Sequence, residues 1–73
     1  MNSTTGQAII LANLSALRAT LAEALERATE AENVIKAGEQ NQAIGTALGI
    51  DEMLQNAAAL YAAALIFHRD GGP

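Results

Sequence analysis

Ile10, Leu14, Leu17, Leu21, Ala24, Ala28, Ala31 and Ile35 recur at alternating spacings of four and three residues. That alternation keeps apolar side chains on one side of a helix and makes an a/d seam of about three and a half heptads. Leu11 and Leu25 widen the seam, while Glu23, Glu26, Arg27, Glu30, Glu32 and Lys36 form a charged outer face. Glu23 with Arg27 and Glu32 with Lys36 are i,i+4 pairs with the acidic member first, each worth a few tenths of a kcal/mol. Thr4 with Gln7 fits a capping box. Lys36 complements the C-terminal dipole, and Gly38 comes next in the position of a C′ glycine. The pattern predicts helix one over about residues 5–37 and a turn at 38–41, with Asn41 as the N-cap of a second helix.

That second helix is predicted over about residues 42–69. Ile50, Met53, Ala57, Leu60, Ala64 and Phe67 make one seam, and Leu54, Tyr61, Leu65 and His68 an adjacent one. The run Ala57–Phe67 holds a single polar side-chain atom, the Tyr61 hydroxyl. A helix that is apolar all round must be covered on every side, which one neighbouring helix cannot do. The expected helix is continuous. The alternative is a break at Gly49 with Asp51 capping a separate helix, because Gly45 and Gly49 each cost about 1 kcal/mol against Ala in a helix interior. Arg69 complements the last turn, and the tail at 70–73 is expected to fray.

A short link makes the two helices antiparallel neighbours, with residues whose numbers sum to about 79 facing each other. Ala28 and Ala31 then fall near Gly45 and Gly49, and these four are the expected close-packing positions. Bulky residues collect at the open end. Leu14, Leu17, Leu21, Leu60, Tyr61, Leu65 and Phe67 are the expected dimer or partner interface. The expected fold is therefore all-α: an antiparallel two-helix hairpin, paired by two-fold symmetry into a four-helix bundle.

Composition supports self-association. Seventy-three residues make one small domain without cysteine, so neither disulfides nor thiolate metal sites can supplement its core. Oligomerisation is the device left. The net charge of -4 and only four Lys and Arg argue against nucleic acid, whose affinity rests on phosphate neutralisation. Met1–Thr5 lacks a basic segment and does not read as a signal peptide. The apolar run near the C-terminus is about half the roughly 20 residues of a membrane span. The expectation is a cytoplasmic protein without a membrane span.

Candidate chemistry is sparse. Gly45-Thr46-Ala47-Leu48-Gly49 matches GxxxG, read here as close packing inside the hairpin. It is not a phosphate loop, because no strand precedes it and no Gly-Lys-Ser/Thr comes after it. His68 is the one imidazole and reads as a helix-end residue. Tyr61 is either an interface hot spot or a core residue whose hydroxyl reaches the rim. The acidic residues near the turn lack the Glu-x-x-His pairs of a helical metal site and read as a solvated face, or as a docking surface for a basic partner. With no catalytic motif, neither enzyme activity nor a cofactor or metal is expected.

In length and heptad pattern the chain resembles the Rop family of plasmid copy-number proteins, which implies a hairpin dimer. It lacks the basic and aromatic face that RNA binding would require, so that family's function is not implied. Residues 42–54 resemble the second helix of small uncharacterised proteins of Pseudomonas-type bacteria. The acidic, alanine-rich character is similar to phage-encoded inhibitors of host proteins. The expected function is protein binding without catalysis, as an adaptor or inhibitor acting as a helical homodimer with a second protein as partner. A purely structural dimerisation module and a carrier of a small apolar ligand are the alternatives.

Overall fold

The computed structural model describes Ser3 to Gly71, and every regular element among those residues is an α-helix. α1 runs Ser3–Lys36, α2 Gln40–Ala47 and α3 Ile50–Gly71. α1 packs against both α2 and α3, so the chain is an antiparallel helical hairpin whose second arm is interrupted. The rod measures 54 × 14 × 12 Å.

The end of α1 is a Schellman motif. Gly38 takes φ +88°, which a side chain would strain, and its N–H donates to the Ile35 carbonyl at 2.9 Å. The Glu39 N–H donates to the Val34 carbonyl at 3.2 Å. Gly38 is thus the C′ glycine expected. The turn is shorter than 38–41, because α2 already begins at Gln40. Its N-cap is Glu39, without a side-chain capping bond, and Asn41 lies inside the helix. The Thr4 side chain, expected to cap α1, lies outside the described residues. Asp70 and Gly71 are helical rather than part of a tail.

The second arm is broken at Leu48 and Gly49, against the expectation of one continuous helix. Leu48 turns extended (φ -59°, ψ 136°), and Gly49 takes φ +95°. The Gly49 carbonyl then accepts from the Met53 N–H at 3.1 Å, so α3 starts at Ile50. Asp51 and Glu52 lie in its first turn, favourably placed for the helix dipole, and Asp51 is not the cap. A glycine in the left-handed region ends a helix at little steric cost, which permits the break at Gly49.

Burial locates the seam. On α3 the buried and half-buried set contains Ile50, Met53, Ala57, Leu60, Ala64 and Phe67, the seam read from the sequence. On α1 it contains Ile10, Asn13, Leu17, Thr20, Ala24, Ala31 and Val34. The a-type positions Ile10, Leu17, Ala24 and Ala31 are those expected. The d-type positions are shifted by one residue, to Asn13, Thr20 and Val34, with Arg27 of the same row remaining exposed. The buried apolar residues are Ala24, Ala43, Ala57 and Ala64, each 4–7% exposed, and among the described residues no large side chain is fully buried. Small side chains let the helices approach closely but bury little area, so this seam is a thin core.

Two polar residues of this row make hydrogen bonds. The Thr20 hydroxyl donates to the Ala16 carbonyl at 2.9 Å. Arg27 leaves the outer face assigned to it and donates from Nη1 to the Leu48 carbonyl at 3.1 Å, spanning the hairpin at the helix break. The broken arm presents that carbonyl, and a cation suits the C-terminal end of α2. The Arg27 contact and the turn centred on Gly38 set the register. Residues whose numbers sum to about 76 lie level, a few less than expected, because helix one ends earlier and helix two starts earlier.

Candidate protein-interaction face

The shifted seam leaves a second apolar stripe uncovered. Residues four after each a-type position flank a seam, and in an antiparallel pair the two such flanks fall on the same side. On α1 this flank is Leu14, Leu21, Ala28 and Ile35, with Leu11 and Leu25 beside it; on α3 it is Leu54 and Tyr61. All are exposed: Leu25 68%, Leu11 66%, Tyr61 54%, Leu54 51%, and Leu14, Leu21 and Ile35 45% each. One face of the hairpin is therefore largely apolar, with Arg18 and Glu32 among the leucines of α1 and Asp51 and His68 on the α3 side. The opposite face carries Glu23, Glu26, Glu30 and Glu52 among alanines. Lys36 meets Glu32 at 3.9 Å, an exposed pair of little energetic weight.

The expected interface set divides. Leu17, Leu60 and Phe67 are half-buried in the intramolecular seam, and Leu65 is half-buried at its edge. Leu14, Leu21 and Tyr61 lie on the open face. The expected close-packing set does not hold together. Ala28 and Gly45 are exposed, and a methyl group at Gly45 would meet nothing within 4 Å. Ala31 is half-buried in the seam. Gly49 is required for its positive φ, and a Cβ there would stand 3.3 Å from Arg27 Nη1. The GxxxG spacing is thus two unrelated glycines. Leu11, Leu25, Ile35 and Leu54 belong to the face although periodicity alone does not assign them to an interface. The signal that finds them is a count of stripes: α1 has two, and a single neighbour covers one.

His68 is exposed near the end of α3. Among the described residues no group of three or more His, Asp and Glu side chains could hold a metal ion. A depression lined by Ala22, Leu25, Glu26, Thr29, Glu30 and Asn33 lies on α1 alone. α1 is also long and apolar enough to cross a membrane, with a mean hydropathy of 1.4 over 18 residues, of which 6% are buried. The C-terminal apolar run, more conspicuous in the sequence, is the shorter of the two.

Accessible surface states the same imbalance. The chain exposes 5266 Å², where a compact monomer of this mass exposes about 4,200 Å². Its radius of gyration is 16.7 Å, against about 11 Å for a compact chain of this length. Comparison with family models, with curated proteins and with solved structures returns no match to this chain.

Proposed function

We propose that the chain is a non-catalytic protein-binding module that works as a helical homodimer, with its apolar face as the contact surface. The observation that carries this reading is the surface excess of about 1,000 Å² per chain over a compact monomer. A standard specific interface removes about 800 Å² from each partner, so one contact of ordinary size accounts for the excess. Exposed apolar patches of this extent on a soluble chain mark interaction sites. Two such hairpins, face to face, make a four-helix bundle.

Closing the apolar faces leaves the acidic faces outward. A further protein would meet Glu23, Glu26, Glu30 and Glu52, a surface suited to a basic partner. The adaptor or inhibitor role rests on that outward surface, and without a partner for it the chain is a structural dimerisation module. Sedimentation equilibrium at micromolar concentration tests the first step, with a dimer as the expected result. Thermal stability should also rise with protein concentration, because association and folding are linked by mass action. A folded monomer with a concentration-independent melting temperature overturns the reading.

A further inference from the structure

We propose that the apolar face takes a second copy of the chain through an antiparallel two-fold axis crossing α1 at Leu25. This inference rests on the homodimer reading and specifies its geometry. The two hairpin turns would lie at opposite ends of the bundle, and α1 would pack along α1 of the second copy.

The residue order along the exposed stripe of α1 supports this. Taken outward from Leu25, the stripe sets apolar against apolar and cation against anion, although the Leu21 and Ala28 pair is unequal in size. Leu21 is balanced by Ala28, Arg18 by Glu32, and Leu14 by Ile35. An isologous contact puts residue i against j and j against i, so a stripe of this kind is its own complement. Arg18 stands as a cation within an apolar stripe. Against Glu32 of the second copy it meets an anion, and its methylene stem lies over leucine. The symmetry forms that pair twice.

The other arm has the same centre. There Ile44 of α2 and Tyr61 of α3, both exposed, lie equally far in sequence from a midpoint between Asp51 and Leu54, as do Ala47, which is half-buried, and Ala58. The hairpin register sets residues whose numbers sum to about 76 level, so Leu25 lies level with Asp51. One axis therefore serves both arms. Asp51 and Leu54 are the pair without a chemical complement, and Asp51 already has the dipole of α3 for its charge. With the turns at the same end, α1 would instead lie over α3 of the second copy, and Arg18 would face Ala58 with no anion opposite.

The chain has no cysteine, so a single introduced thiol reports its own position. Leu25→Cys is expected to form a disulfide-linked dimer under mild oxidation, since the axis brings the two Cα atoms within bonding range. Leu11→Cys, far from the axis, is expected to stay unlinked. Arg18→Glu and Glu32→Arg should each weaken the dimer about tenfold at low salt, and the double exchange should restore it to within about threefold. Sedimentation equilibrium of these full-length variants reads the charge series.

A dimeric wild type whose Leu25→Cys variant fails to cross-link, or that the double exchange fails to rescue, overturns the antiparallel axis and leaves the homodimer standing. A monomeric wild type overturns both. Flotation of the wild type as a monomer with phosphatidylcholine vesicles also overturns both, and assigns the apolar stripe of α1 to lipid.

Discussion

Two glycines four residues apart ask opposite things of their backbone. Gly45 sits in regular helix with open space around it, so Gly45→Ala should stabilise the chain by up to about 1 kcal/mol through helix propensity. Gly49 holds φ +95°, where a side chain costs about 1–2 kcal/mol. Gly49→Ala should therefore destabilise, and Gly49→Leu should do so at least as much. Thermal melts of the two alanine variants side by side check the sign. Equal shifts would mean that the break at Leu48 and Gly49 does not form in solution. The sequence marks both glycines as costly in a helix. It does not say which one ends the helix, because that depends on Arg27 reaching the Leu48 carbonyl from the other arm.

At the scale of elements, α3 is legible in the sequence and α1 only half so. The sequence offers α3 two adjacent seams, and the helix turns the first of them, Ile50 to Phe67, toward α1. On α1 the a-type positions can be joined to the row just before them or the row just after. Leu14, Leu21, Ala28 and Ile35 are more apolar than Asn13, Thr20, Arg27 and Val34, so hydrophobicity alone selects the row that the hairpin leaves open. The structure tolerates the polar row because Thr20 bonds back to its own helix and Arg27 bonds across to Leu48. Truncation should separate the two rows. Leu17→Ala and Leu60→Ala lie in the hairpin seam and should cost about 2–3 kcal/mol, the lower part of the range for core leucines. Leu14→Ala and Leu21→Ala should leave the hairpin's helicity intact and weaken association instead. Circular dichroism read beside sedimentation checks this. If the Leu14 and Leu21 variants lose helix and the Leu17 and Leu60 variants do not, the seam has been placed on the wrong row.

For the whole molecule, small size and missing cysteines are readable from the sequence. The location of the exposed apolar surface is not. The sequence suggests the bulky open end, whereas the structure spreads exposed apolar residues along one side of the rod, from Leu11 to Ile35. An all-alanine buried set explains the difference, since the interior of the hairpin holds almost none of the leucine that the composition provides.

The break in the second arm also divides the molecule in time. α2 has eight residues, below the roughly 12–15 at which an isolated helix persists in water. It is tied down by the Schellman turn at one end and the Arg27 bond at the other, while α3 carries the longer seam. Local opening tracks such differences in support. Backbone amides of Gln40–Ala47 should exchange with deuterium well before those in the middle of α3, and Arg27→Met should quicken the first group while leaving the second unchanged. A single exchange rate across both helices would make the second arm one cooperative unit. Two rates would make the turn end of the rod the place where the chain first opens to proteases and chaperones.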